Sequence, residues 1–486
     1  MKIKLIHTIH HYLGTFFFGM FLVWFLSGFV MMYKSFPFLS EKDRIKSNEV
    51  IQKSEYDLPH PAKVFTEYKQ ESCNSLRINS VLGEPVYHLI TNKGVLESRF
   101  AYTGETIKID EQSAIQIARK FTGITVDAKV SLLNKVDQWI PRPKYKKYLP
   151  VYKVHFVDAA NTYVHVSSKT GEVISNTSRF DRVWAWLGAI PHWIYLKEIR
   201  MHSTLWSQLC IWLSLFGFIM ALSGIITGIV RFKKKPKANF KRFKNKWYNI
   251  HYYTGLIFGL FVCTWVFSGF MSMSPFNWSY DFKLSEKESA LWEGRVNSLE
   301  NITDKEWVNF QELVQSDTIK EAHFSSFSGK LFLGGGVVDK MRVVCLSDLD
   351  FIPEKSDFSK QINLINETDR VVTIGLLHQY DNYYYDRHHN KKLPIIKAIT
   401  DSRLAYYIDP ANGNVLLKSD LTNKLERWLY HGLHSLDFSF LTRNRPLWDI
   451  IMITLLLGGT TVSITAVGLG IKFMKRKRRK YLRKKN

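Results

Sequence analysis

Cysteine is scarce in this chain. Four occur in 486 residues: Cys73, Cys210, Cys263 and Cys345. No two form a C-x-x-C pair, which leaves zinc ribbons, iron–sulfur clusters and thioredoxin-type redox centres unsupported. Cys210 and Cys263 fall inside apolar runs and read as packing residues. Cys73 and Cys345 could pair outside the cytoplasm, but their spacing does not require it. Acidic residues are also few, 43 Asp+Glu against 67 Lys+Arg, for a formal net charge of +24. The chain has no G-x-G-x-x-G fingerprint for a dinucleotide. Gly334-Gly335-Gly336 lacks that spacing. No small-x-small cleavage site follows the first apolar run, so that run reads as an uncleaved anchor rather than a signal peptide.

Mean hydropathy is only −0.14, because two large polar segments dilute a few long apolar ones. Four stretches have the roughly 20 apolar residues that cross a bilayer: about Tyr12–Tyr33, Leu205–Val230, Tyr253–Met273 and Trp448–Phe473. The basic excess gathers at their edges, most densely in Arg231–Lys246 and Lys475–Lys485. That placement argues against nucleic acid as a partner and for anionic lipid. By the positive-inside rule the N-terminus, the 231–250 loop and the C-terminal tail are cytoplasmic. The long segments between spans then lie outside, in the periplasm of a Gram-negative cell.

His10–Met32 and His251–Met273 align without a gap. His10 meets His251, Gly14 meets Gly255 and Trp24 meets Trp265. Ser27-Gly28-Phe29 meets Ser268-Gly269-Phe270. At an offset of 242, His192 meets His434, Trp206 meets Trp448 and Gly171 meets Gly413. Agreement of unrelated anchors at one offset marks a duplication that runs through the chain. Both halves have the same orientation, so a pseudo-two-fold axis would run along the membrane normal. The expected fold is an α-helical membrane protein. It has four transmembrane helices in two tandem pseudo-symmetric halves, each with an extracytoplasmic α+β domain. The expected layout is 1–33 (N-terminus and first span), 34–204 (first external domain), 205–230 (second span) and 231–250 (basic loop). The second half continues as 251–273 (third span), 274–447 (second external domain), 448–473 (fourth span) and 474–486 (basic tail).

Within the first external domain, Asp110–Gly123 places Ala114, Ile117, Ala118 and Phe121 on one helix face, with Asp110 as N-cap and Gly123 as stop. Val151–Val157 and Thr162–Val166 alternate like strands, joined to the next by a turn at Lys169–Glu172. In the second, strands are expected at Met341–Leu346 and Val371–Leu377, with weaker patterning before Gly336.

Pro150–Ile174 resembles a PepSY module, and H-x-Y-x-G…W-x-x-S-G-F occurs at both His10–Phe29 and His251–Phe270. With the histidine-bearing approach segments, these features resemble the PepSY-associated transmembrane family over nearly the whole chain. Members of that family include bacterial inner-membrane ferric-siderophore reductases and iron-regulated membrane proteins. The resemblance implies external PepSY-like domains and two b-type haems. It also implies transfer of electrons across the membrane to an external ferric siderophore or other iron chelate. A quinol or a cytoplasmic reductase would be the donor.

A bis-histidine haem needs two imidazoles on opposite faces of one porphyrin, carried by rigid elements. The repeat singles out His10 with His251 at the cytoplasmic end, and His192 with His434 at the external end. His11, His202 and His431 are alternates if symmetry is broken, whereas His7 reads as a headgroup residue. Gly14 and Gly255, one turn after the first pair, would leave room for a flat macrocycle or simply allow close helix packing. Trp24 and Trp265 read as packing residues between the sites. The segment Leu377–Pro394 concentrates His378, Tyr383, Tyr384, Tyr385, Arg387, His388 and His389. Such groups suit a flat or anionic chelate, or a polar surface loop. Two other readings stay open: a non-enzymatic PepSY-type regulator of an external peptidase, and a metal or chelate permease.

Overall fold

The computed structural model describes the chain except residues 1, 53–56, 235–241, 279–282, 317, 338–339, 387–390 and 486. The chain divides into two compact units, each built from separated segments.

The first unit takes residues 1–36, 181–280 and 422–486. Its four long helices are Lys2–Met31, Ser203–Lys234, Lys246–Met271 and Arg445–Lys485. All four are long and apolar enough to cross a membrane, as expected. The third starts on Asn245, whose side chain accepts from the Trp247 backbone N–H. The fourth runs through the basic tail, because Lys and Arg are good helix formers and neither Gly nor Pro follows Gly470. Phe17, Phe21, Phe25, Val262, Trp265, Trp448 and Leu456 are buried in the bundle core. Phe16, Ile257, Leu260 and Ile450 stay exposed, an apolar surface suited to lipid.

Two short turns carry His192 and His434. The first is helical over Ala189–Trp193, and the second over Leu433–Ser435 after a π-helical turn at Arg427–Gly432. Both end on a non-glycine residue in the left-handed region, Ile194 (φ 54°) and Leu436 (φ 47°). Such a backbone costs about 1–3 kcal/mol and persists only where its surroundings impose it. Here a tryptophan does so in each case. Trp206 Nε1 donates to the Trp193 carbonyl (2.8 Å), and Trp448 Nε1 donates to the Ser435 carbonyl (2.9 Å).

The second unit takes residues 37–180 and 281–421. Its strands are β1 (Cys73–Val81), β2 (Glu84–Thr91), β3 (Leu96–Phe100), β4 (Ala128–Leu133), β5 (Val151–Phe156), β6 (Tyr163–Ser167) and β7 (Val173–Thr177). They continue as β8 (Ile319–Phe327), β9 (Lys330–Val337), β10 (Lys340–Cys345), β11 (Val371–Leu377), β12 (Ile395–Thr400), β13 (Ala405–Ile408) and β14 (Val415–Ser419). Two four-stranded antiparallel sheets, β4-β5-β6-β7 and β11-β12-β13-β14, each pack against one helix, Glu111–Thr122 and Lys355–Ile365. The first helix has the expected caps, with the Asp110 side chain on the Ser113 N–H and Gly123 at φ 72°.

Of the third sheet, ordered β10-β9-β8-β1-β2-β3, only β10 was expected from the sequence, at Met341–Leu346. Its β9 contains Gly334-Gly335-Gly336, which ordinarily argues against a strand. A side chain there would collide: a Cβ on Gly334 would lie 2.3 Å from His323, and one on Gly336 would lie 2.5 Å from Ile45. Antiparallel β1 and β8 join the two halves of this sheet, with Asn79 opposite Glu321. Beside that seam sits a buried ion quartet. Glu321 accepts from Arg44, Arg77 and Asn48, and Glu172 accepts from Arg44 and Arg77. Two guanidiniums and two carboxylates balance, which is what makes such a cluster tolerable away from water. All four cysteines are free, and Cys73 and Cys345 belong to different cores.

Candidate functional site

The repeated histidines meet in two pairs, both inside the helical unit. The His10 and His251 ring centroids lie 6.3 Å apart, and those of His192 and His434 lie 6.1 Å apart. Two imidazoles bound to opposite faces of one metal, with metal–nitrogen distances of about 2 Å, place their centroids about 6 Å apart. The rings are too far apart for a direct hydrogen bond between them, and the separation suits an ion at the midpoint.

Every hydrogen bond found for these four rings uses Nδ1. His10 Nδ1 lies 3.0 Å from the Met220 carbonyl. His251 Nδ1 lies 3.2 Å from the Val462 carbonyl and 3.0 Å from Thr465 Oγ1. His192 Nδ1 lies 3.0 Å from Ser27 Oγ. His434 Nδ1 lies 3.0 Å from Ser268 Oγ and 3.2 Å from the Trp265 carbonyl. A carbonyl only accepts, so Nδ1 carries the hydrogen. The two serines spend their own hydrogens on the Trp24 and Trp265 carbonyls, so they too accept from the rings. Nε2 is then the free lone pair on all four rings. An Nδ1–H bound to a carbonyl is the usual outer support of a metal-binding histidine, and it fixes both tautomer and ring orientation. These contacts repeat at the spacing of the histidines themselves: 462 − 220 = 242 and 268 − 27 = 241.

Burial holds the His192 imidazole far below its ordinary value, down to about 3, and the neighbouring His434 adds to the depression. Burial also lowers His434. Both rings are therefore neutral at physiological pH, the form that binds a metal.

A cavity of about 700 Å³ opens at the first pair, lined by His10, His251, Gly14, Gly255, Phe21 and Val262. A Cβ on Gly14 or Gly255 would meet no protein atom within 4 Å. The space beside these glycines is thus real room, not helix contact. Arg231, Arg476, Lys477 and Lys480 also line this cavity, so part of the basic charge read as a lipid signal faces a binding space. Among the described residues no three His, Cys, Asp or Glu side chains converge as a metal cage. Each pair would offer a metal two imidazole nitrogens and leave its other positions to another donor set. A tetrapyrrole provides four nitrogens for those positions, so the residues present fit a haem.

Of the alternates, His11 lines the same cavity, but its ring lies against His7 and Phe473. His202 is exposed and His431 lies beside Tyr430. In the Leu377–Pro394 segment His378 is exposed, whereas Tyr383 and Tyr385 are half-buried. Tyr384 is 3% exposed, stacks on Tyr407 and donates to the Lys392 carbonyl. It is a core residue of the sheet. Arg387, His388 and His389 lie outside the described residues. Ser27, Ser268 and Thr465 had no expected role, although W-x-x-S stands in both repeats.

Residues 7–323 match the family described as PepSY-associated TM region. The chain belongs to this family. The match takes in three of the four membrane helices, three of the four paired histidines and the whole first half of the sheet unit. No curated protein matches the chain. As a PepSY-associated TM protein with four apolar helices, the chain is a membrane protein.

Proposed function

We propose that this PepSY-associated TM protein carries electrons across a bacterial inner membrane through two b-type haems to an external ferric siderophore. His10 and His251 would hold one haem, and His192 and His434 the other. The observation that carries this reading is the pair of facing imidazole sets, each about 6 Å apart and each tied through Nδ1. Bound haem supplies one-electron redox chemistry.

The protein's own part is placement. Met220, Val462, Trp265 and the two serines fix the rings with Nε2 available. Gly14 and Gly255 leave space for a macrocycle, and Arg231, Arg476, Lys477 and Lys480 offer cations to its carboxylates. Along the first helix, His10 and Ser27 are 17 residues apart, or about 25 Å. One site near each face divides a hydrocarbon layer about 30 Å thick. The offsets of 241 and 242 support two tandem halves about an axis along the membrane normal. The basic segments support a topology with both termini in the cytoplasm and the sheet unit in the periplasm.

At the external end one electron passes to the chelate's Fe(III), giving Fe(II), which hard oxygen donors hold less tightly. His378, Tyr383 and Tyr385 are the residues offered for chelate contact. The donor is a quinol or a cytoplasmic reductase. The test is the optical spectrum of purified protein, oxidised and reduced, with haem quantification. A Soret band, sharp α and β bands on reduction and about two haems per chain are expected. A colourless preparation from haem-replete cells would refute the proposal and leave the regulator or permease readings.

A further inference from the structure

The two histidine pairs match in separation but not in orientation. The His10 and His251 planes meet at 34°, whereas those of His192 and His434 meet at 74°. The supports differ in the same way. The first pair sits on the first and third membrane helices and is held by carbonyls of the second and fourth, with the Thr465 hydroxyl a second partner of His251. The second pair sits on the short turns and is held by serines of the first and third helices, with the Trp265 carbonyl a second partner of His434. Ser27 and Ser268 are 1% and 0% exposed, and each is locked by its own bond to a tryptophan carbonyl. A ring bound through Nε2 keeps one soft motion, rotation about the metal–nitrogen axis. The Nδ1 hydrogen bond decides where that rotation stops.

We propose that Ser27 and Ser268 are positioning residues that hold the His192 and His434 planes crossed, giving the two haems different electronic structures. This rests on the haem reading above. An imidazole π system mixes with the metal d orbital that lies perpendicular to its ring plane. Nearly parallel rings act on the same orbital and split it from its partner. Crossed rings act on one orbital each and leave the two close in energy. In the ferric low-spin state the first case gives a rhombic three-line paramagnetic resonance signal. The second gives a strongly anisotropic signal dominated by one low-field feature.

Low-temperature paramagnetic resonance of the oxidised holoprotein, with haem counted on the same sample, tests this. Both signals are expected, in about equal amounts. His434→Ala should remove the anisotropic signal, and His251→Ala the rhombic one. Ser27→Ala with Ser268→Ala should shift or broaden the anisotropic signal while leaving the rhombic signal unchanged. Ser27→Thr with Ser268→Thr keeps both hydroxyls and should restore it. Either alanine variant alone should give an intermediate spectrum. Two haems per chain with one signal type would overturn the inference and leave the haem reading standing. So would an anisotropic signal unmoved by the double alanine variant at full haem content. A preparation with no haem would overturn the proposed function itself.

Discussion

Replacing Gly224 by alanine tests whether His10 is fixed where the structure places it. A Cβ at this position would lie 2.6 Å from His10 Cε1 and 2.9 Å from Nδ1. Carbon–carbon contact needs about 3.5–4.0 Å, so the ring must withdraw by about 1 Å. A metal–ligand distance tolerates about 0.2 Å. The same movement strains the 3.0 Å bond from Nδ1 to the Met220 carbonyl. Loss of such outer support costs about 10–100-fold in metal affinity, or about 1.4–3 kcal/mol. The helix itself should gain, since alanine is about 1 kcal/mol better than glycine in a helix interior. The Gly224→Ala protein should therefore fold but purify with less haem per chain than the parent. Gly19→Ala is the control, because a Cβ there meets nothing within 4 Å. The residue 242 positions on is Ala466, which also lines the cavity, so His251 already coexists with a methyl at that level. Full haem content in Gly224→Ala, with an unaltered spectrum, would refute the idea that His10 has only one place to stand.

His434→Ala should lower haem content to about one per chain and abolish reduction of an external chelate, read by quantification and by trapping of Fe(II) in vesicles. Gly14→Leu or Gly255→Leu should cost haem while sparing the fold, because the leucine enters space that no protein atom occupies; haem retained at the parental level would count against a macrocycle there. Glu321→Ala leaves two buried guanidiniums facing one carboxylate, and should destabilise the sheet unit by about 3–5 kcal/mol in thermal or denaturant unfolding. Burial pushes the Glu172 and Glu321 carboxyls up, but Arg44 and Arg77 outweigh it and hold both below the usual range. Their stabilisation is thus complete above the unfolded carboxylate value of about 4.3 and is lost as pH falls below it. Melting of the β signal should show this acid limb, and Glu172→Gln with Glu321→Gln should flatten it.

Much of this was legible in the chain itself, because the determining signals are periodic or repeated. Apolar runs of about 20 residues locate the four helices, and the offset of 241–242 pairs the histidines that the fold brings together. The ordered cap at Asp110 and the stop at Gly123 were equally plain. The six-stranded sheet, β10 apart, was not, since its triple glycine is explained only by His323 and Ile45 on neighbouring elements. The composition of the tyrosine-rich segment suits a recognition surface or a polar loop, and it cannot show that Tyr384 stacks inward on Tyr407. Ser27 and Ser268 escaped notice for another reason. Serine in an apolar helix commonly bonds back to its own chain, and both do so while also accepting from an imidazole far away in sequence.

The tryptophan locks have a mechanical consequence. Trp206 pins the His192 turn, and Met220, on the same helix, holds His10. Trp448 and Val462 do the same for His434 and His251 on the fourth helix. Each of these helices works as a ruler with two marks, 14 residues or about 21 Å apart. A slide or tilt of either one reaches both histidine pairs at once, so whatever displaces one pair is felt at the other.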